Sequence, residues 1–242
     1  MLRTVVLCGG EGSRLRPLTY YFQKTMIPVG RQQKPLLEYI LRHLKFHGFD
    51  EAVLLVGYKG EQVVNYFGDG EKLGVRISYV WDDENVKGTC ASLLNALGKK
   101  AFSMDDTLLI YYGDILTNLN LRELVDRHVS EGAAATLALS PRYQLPVGVA
   151  EVSGGRVTEM REKPFIPINV TIGILVLEAG LLRYGMGLSD IMSDLIPAVI
   201  RSGEKVSAHI SECFWYDVGS TEKYEKLSNE VVDRYLSEIM EG

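Results

Sequence analysis

The sequence predicts an α/β protein: a doubly wound, mostly parallel sheet carrying a small antiparallel insertion. Three observations predict it. Apolar runs at residues 4–7, 52–56 and 107–112 are continuous rather than alternating, as strands covered on both faces read. Between them lie stretches with an apolar stripe of helical period. A glycine cluster, Gly9-Gly10-Glu11-Gly12, follows the first run at once. That is where an open α/β sheet turns from a strand into a ligand-facing loop.

Residues 4–7 form the first buried strand. Residues 35–46 read as a helix, because Leu37, Ile40, Leu41 and Leu44 keep the i, i+3, i+4, i+7 spacing and Gly48 suits the position just past its end. A strand at 52–56 follows. Tyr58-Lys59-Gly60 then turns into a helix at 61–67, with Glu61 in its first turn and Gly68 closing it. Val75, Ile77, Tyr79 and Trp81 alternate, which suits a strand with one solvated face. Residues 91–97 are helical, and 107–112 form another buried strand. The second half is more mixed. Two runs, 147–152 and 156–161, flank Ser153-Gly154-Gly155, a hairpin signal. A strand at 172–177, a helix at 190–200 with Pro197 as an irregularity, short strands at 206–210 and 215–218, and a terminal helix at 221–239 complete the chain. The expectation is a single Rossmann-like domain over 1–242.

Composition narrows the function classes. The 242 residues carry 26 Lys and Arg against 31 Asp and Glu, a net charge of −5, with 46% hydrophobic residues. This mild acidity argues against a nucleic-acid binder, although a local anion site depends only on local charge. No apolar run reaches the roughly 18 residues of a membrane span. The amino terminus runs straight into a strand, so no signal peptide is expected. Cys8, Cys90 and Cys213 are odd in number and far apart. They point to a reducing, cytoplasmic setting and against a disulfide framework or a metal knuckle. Partners are expected to be small molecules, with no nucleic acid and no membrane; a homo-oligomer stays open.

The densest chemical signal is Cys8-Gly9-Gly10-Glu11-Gly12-Ser13-Arg14-Leu15-Arg16-Pro17-Leu18-Thr19. Glycines let the backbone approach a ligand and aim its N–H groups at an anion, and two arginines follow that can grip phosphate. A dinucleotide fingerprint does not fit, because Leu15 stands where the third glycine belongs, and no lysine follows to make a P-loop. Asp114 follows an apolar strand at the end where such sheets present ligands. His43 and His47 share a helix face, but no third ligand has matching spacing, so a solvated face is expected. Tyr224 and Tyr235 are expected to pack, and Cys90 needs no role beyond being small.

Further motifs follow in order: Lys24 with Pro28-Val29, Lys34-Pro35-Leu36 with Tyr39, Gly88-Thr89, Gly113-Asp114, Gly148-Val149, Glu162-Lys163-Pro164 and Trp215-Tyr216-Asp217-Val218-Gly219. Together with the glycine loop they resemble the signature of sugar-1-phosphate nucleotidylyltransferases, the pyrophosphorylases that make nucleotide sugars, over about residues 2–225. Mannose- and heptose-1-phosphate guanylyltransferases are nearest in pattern, with thymidylyl- and uridylyltransferases close behind. Departures are Cys8 for Ala, Ser13 for Thr, Thr25 for Pro, Asp82-Asp83-Glu84 where pyrimidine users carry Gln, and Thr171-Ile172-Gly173 for Asn-Ala-Gly.

The resemblance implies an enzyme that joins an NTP to a sugar 1-phosphate and releases pyrophosphate. It implies a nucleotide half at about 1–115 and a sugar half at about 116–242. Cys8, Gly9, Gly10, Gly12, Ser13, Asp82, Gly88 and Thr89 would bind the nucleotide. Arg14, Lys24 and Lys163 would be catalytic, and Gly148, Glu162, Lys163 and Thr171 would hold the sugar phosphate. Asp114 and Asp217 would bind Mg2+, which keeps its waters and takes few protein ligands. The 242 residues hold no hexapeptide repeat, so no C-terminal β-helix is expected. Two alternatives remain: a non-catalytic subunit on the same fold, or a transferase for a non-sugar phosphorylated alcohol.

Overall fold

Strands whose residues alternate between two apolar environments need cover on both faces, and this chain supplies helices for both. The computed structural model describes residues 1–241. In chain order the elements are β1 (Leu2–Cys8), β2 (Pro28–Val29), β3 (Lys34–Pro35), α1 (Leu36–Phe46), β4 (Glu51–Val56), α2 (Gly60–Phe67), β5 (Arg76–Trp81), α3 (Thr89–Gly98), β6 (Thr107–Tyr112), β7 (Ile115–Thr117), α4 (Leu121–Glu131) and β8 (Ala135–Ser140). They continue as β9 (Tyr143–Gln144), β10 (Val149–Ser153), β11 (Arg156–Arg161), β12 (Phe165–Ile166), β13 (Val170–Glu178), α5 (Ile196–Arg201), β14 (Val206–Ile210), β15 (Trp215–Asp217), α6 (Thr221–Lys226) and α7 (Asn229–Glu241).

The central sheet has the order β14-β8-β13-β6-β1-β4-β5. The β1–β4, β1–β6, β4–β5 and β8–β14 pairs are parallel, and β13 runs antiparallel to both of its neighbours. Only β13 is therefore reversed, and the expected mostly parallel sheet is present. Odd and even residues sort cleanly. Val6, Leu54, Leu109 and Tyr111 join one core with α1, α2, α4 and α7; Val5, Leu55, Leu108 and Ile110 join the other with α3 and α5. Small antiparallel pairs sit beside this sheet. In the β10–β11 hairpin, Gly154 and Gly155 take φ of 56° and 78° at the turn, the left-handed pair a two-residue hairpin loop requires.

Several details depart from the expectations. The longer elements α4 and β8 were not foreseen, nor were the two- and three-residue strands β2, β3, β7, β9 and β12. In α4, Asn120 Oδ1 caps the helix by accepting from the Arg122 and Glu123 N–H groups at 3.1 and 3.2 Å, and β8 opens on Ala135 after Ala133 and Ala134, alanine being a weak strand former. The expected helix at 190–200 begins as a wide π turn, Ile191–Leu195, before α5; Asp190 caps it, and Pro197 falls in the first turn of α5, where its missing N–H costs nothing. The expected terminal helix is two helices. Its break follows Lys226, where the Ser228 hydroxyl begins a new capped turn.

His43 also departs from its expected solvated face: it is buried between α1 and β6. Its ring contacts the Tyr111 hydroxyl at 3.2 Å and the Leu119 carbonyl at 2.9 Å. Tyr224 and Tyr235 do pack. The Tyr224 hydroxyl donates to the Pro28 carbonyl, and Tyr235 stacks on Phe214.

Candidate active site

Four parallel strands, β1, β4, β5 and β6, end on one side of the sheet. The loops leaving them enclose a cavity of about 770 Å³, within the size range of small-molecule sites. Its wall draws on Gly9 and Gly10 after β1, Gly57 and Tyr58 after β4, Asp82 and Asp83 after β5, Gly88 and Thr89 at the start of α3, and Asp114 after β6.

Two glycines here are dictated by space. At Gly9 a Cβ would lie 2.5 Å from Asp82 Oδ2, so the β1 loop passes directly beneath that carboxylate. At Gly88, φ is +96° and a Cβ would lie 2.3 Å from the Ser189 carbonyl oxygen. The same carbonyl accepts from the Cys90 N–H at 2.9 Å and so caps α3. Thr89 is drawn into this contact: its hydroxyl donates to Asp190 Oδ2 and accepts from the Ile191 N–H, both at 2.9 Å. Gly10 differs, since nothing lies within 4 Å of where its Cβ would be. Its backbone is open to a ligand.

The charged groups are arranged as two lysine–carboxylate pairs. Lys24 Nζ donates to Asp114 Oδ2, both side chains being largely shielded from solvent. Lys223, from α6, pairs with Asp217 Oδ2, while Asp217 Oδ1 is buried with no hydrogen-bond partner among the described residues. The β7–β15 pair sets Asp217 opposite Ile115, and the Val218 N–H donates to the Asp114 carbonyl at 2.8 Å. Two acidic positions far apart in sequence thus stand side by side, Asp217 at the end of β15 and Asp114 in the turn leading into β7.

Asp82 has a divided role. Oδ1 accepts from Ser92 Oγ at 2.7 Å and from Asn95 Nδ2 at 3.3 Å, leaving Oδ2 above Gly9. Burial raises its pKa above the usual carboxylate value, against the pull of those two hydrogen bonds. Asp83 instead accepts from Lys99 at 2.6 Å. Cys8 is fully buried, and burial pushes its thiol far above its ordinary value, which leaves it inert as a nucleophile.

The nucleotidyl transferase family profile matches residues 3–234. The chain belongs to the nucleotidyl transferase family. A UTP–glucose-1-phosphate uridylyltransferase from Synechocystis sp. is 30% identical over 98% of this chain and 65% of its own length. A D-glycero-α-D-manno-heptose 1-phosphate guanylyltransferase from Aneurinibacillus thermoaerophilus is 29% identical over 95% of this chain and 98% of its own. A crystal structure of a proposed glucose-1-phosphate thymidylyltransferase from Bacillus anthracis, in complex with sucrose, superposes with a TM-score of 0.74. It shares 21% identity and covers 96% of this chain and 95% of its own, and it shares the fold. The chain spans a little under two thirds of the length of several curated relatives in the family, 63–65% of the first three.

Among the residues expected to serve this nucleotidyl transferase, Cys8, Gly9, Gly10, Lys24, Asp82, Gly88, Thr89 and Asp114 line the cavity. Gly12 packs against Lys24 just behind it, Ser13 opens a short 3₁₀ turn, and Arg14 is exposed on that turn. Gly148, Glu162 and Lys163 lie at the base of the β10–β11 hairpin, and a Gly148 Cβ would stand 2.9 Å from Glu162 Oε2. Thr171 is exposed on β13. These four residues and Asp217 stand outside the cavity wall.

Sequence reasoning passed over Tyr112 and Gln23. The Tyr112 hydroxyl is buried at the cavity wall with no hydrogen-bond partner among the described residues. Its place immediately before Gly113-Asp114 was the available signal.

Proposed function

We propose that this protein transfers a nucleotidyl group from an NTP to a sugar 1-phosphate, giving a nucleotide sugar and pyrophosphate. One observation carries the reading: a glycine-walled cavity at the carboxyl ends of the parallel strands, with the Lys24–Asp114 pair on its wall. It is supported by family membership across residues 3–234. Residues 1–115 would hold the nucleotide and 116–242 the sugar phosphate, within one domain acting in the cytoplasm.

In the reaction a phosphate oxygen of the sugar 1-phosphate attacks the α-phosphorus. The bond from that phosphorus to the β-bridging oxygen breaks, and the electron pair leaves on pyrophosphate. The attacking oxygen is already ionised, so no general base is required. Catalysis reduces to screening two polyanions and aligning the attacking and leaving oxygens. The open N–H groups of Gly10–Ser13 cradle the triphosphate. Lys24 donates to the α-phosphate, where charge grows in the transition state. Arg14 reaches the departing phosphates, and Lys163 with Gly148, Glu162 and Thr171 holds the sugar phosphate.

The acidic pair fits Mg2+. Asp217 presents a buried oxygen without a partner among the described residues, and Asp114 a carboxylate at the cavity wall. Asp114 and Asp217 would hold the ion, which when bound supplies charge neutralisation on the phosphates.

For the base, Asp82 supports guanine. Its free Oδ2 above Gly9 can accept from the N1–H or the N2 amino group, which guanine presents on one edge. The test is pyrophosphate release from five NTPs against a panel of sugar 1-phosphates with Mg2+. Release with GTP leading is expected. Silence across the whole matrix would overturn the reaction. A product pool dominated by UDP- or dTDP-sugar, with the NTPs at equal concentration, would overturn the base alone.

A further inference from the structure

Lys24 reaches the cavity from a stretch between Gly9 and Ile27 that contains only three short 3₁₀ turns. A lysine on such a segment needs an anchor, because its flexible stem fixes nothing by itself. The anchor is its neighbour. Gln23 is 1% exposed, an uncommon fate for glutamine that is costly unless every polar atom is satisfied.

Here they are satisfied. Gln23 Nε2 donates to the Cys8 carbonyl at the end of β1. Its Oε1 accepts from the Thr25 N–H at 2.5 Å and from Thr25 Oγ1 at 2.6 Å. The Gln23 backbone N–H donates to Gln62 Oε1 at 2.7 Å, and Gln62 Nε2 donates back to the Tyr21 carbonyl at 2.7 Å. Two more side chains from the turn before α2 complete the bracket: Lys59 Nζ donates to the Tyr20 carbonyl at 2.9 Å, and the Tyr58 hydroxyl to the Thr19 carbonyl at 3.1 Å. Residues 19–23 before Lys24 are thus tied by side chains to β1, α2 and the turn before α2, and Thr25 after it is tied back to Gln23, where no sheet ladder is available.

We propose that Gln23 is a positioning residue that holds Lys24 in its phosphate-facing place, with Gln62 bracing it from α2. This rests on the reading above, in which Lys24 meets substrate phosphate. The bond to the Cys8 carbonyl fixes the distance from the strand end, and the bonds to Thr25 fix the turn that follows. The Lys24 stem then leaves the backbone in one direction, toward Asp114.

The experiment is a double-mutant cycle on steady-state kinetics. Gln23→Leu is close in volume and removes every side-chain hydrogen bond. It is expected to lower kcat about 10- to 100-fold, the scale of a displacement of about 1 Å, with little change in the KM for NTP. In a Lys24→Met background the same change is expected to add almost nothing, because the group it positions is gone. A full multiplicative loss in that background would assign Gln23 a general structural role and overturn the proposal, as would unchanged kcat in Gln23→Leu alone. Gln62→Leu, near the surface, is the second variant should Gln23→Leu not fold. It is expected to give a smaller kcat loss that also disappears with Lys24→Met, and a loss that persists there overturns the proposal equally. Full turnover of Lys24→Met on its own would instead overturn the role of Lys24.

Discussion

Two carboxylates are each paired with a lysine, and the Tyr112 phenol has no partner among the described residues. Asp114→Asn and Asp217→Asn keep shape and lose charge, so both should fold. Each is expected to lower turnover by about 100-fold or more, on the order of 3 kcal/mol of transition-state stabilisation. Initial rates across a Mg2+ titration check this; near-normal turnover of either variant at saturating Mg2+ removes that residue from the site. Tyr112 makes a different prediction. A buried hydroxyl with no partner costs about 1–3 kcal/mol, so Tyr112→Phe should raise the denaturation midpoint. If the hydroxyl serves the ligand, the same change weakens nucleotide binding. Calorimetric Kd and thermal unfolding on one sample give both signs, and a variant that is more stable with unaltered Kd leaves the phenol without a binding role.

Elements show which glycines serve the fold and which serve the site. Gly88 cannot accept a side chain, since its φ is +96° and Ser189 O occupies the space. Gly88→Ala is expected to cost about 2 kcal/mol or more, read as a lower urea midpoint. Gly10→Ala meets nothing and should leave that midpoint unchanged while weakening nucleotide binding, because its methyl would project toward the ligand. A Gly88→Ala protein as stable as wild type would contradict the packing of α3 on Ser189. The sequence revealed elements that carry either an apolar stripe or a turn signal. The β10–β11 hairpin was legible from Ser153-Gly154-Gly155 alone. The α4 helix was not, since Leu121 and Leu124 are nearly its whole buried stripe, although Asn120 and Glu123 carry a capping signal that could have found it.

Across the whole molecule, helices on both faces make the sheet interior dry, and His43 registers it. Burial lowers the His43 pKa from 6.5 to about 3, with the nearby His47 adding to the effect. In the unfolded chain His43 takes up a proton as pH falls below 6.5, and in the folded protein it stays neutral until about 3. Its contribution is therefore fully present above pH 6.5 and is lost as pH falls through the window from 6.5 to 3, at up to about 1.4 kcal/mol per unit. Denaturant titrations at pH 7, 6, 5 and 4 should show this slope, and His43→Gln should flatten it. An equal slope in the variant would assign the acid sensitivity to the carboxylates.

The fold class and the glycine turn after β1 were legible along the chain, and the resemblance to a family singled out Lys24, Asp114 and Asp217. The fold class and the glycine turn are local features: a continuous apolar run and a turn that needs glycine. The tertiary structure alone decided that β13 runs backwards, that Val218 meets Asp114 and brings Asp217 alongside, that Asp82 lies over Gly9 while Asp83 pairs with Lys99, and that Gln23 is buried beside Lys24. Each depends on which chain segment lies across from which, and pairings over 39 residues, as from Gln23 to Gln62, or over 90, as from Lys24 to Asp114, leave no periodic trace along the chain. His43 gives the physical reason in one side chain. Its spacing on α1 suits a solvated face, and only the arrival of Tyr111 and the Leu119 carbonyl makes it part of the core.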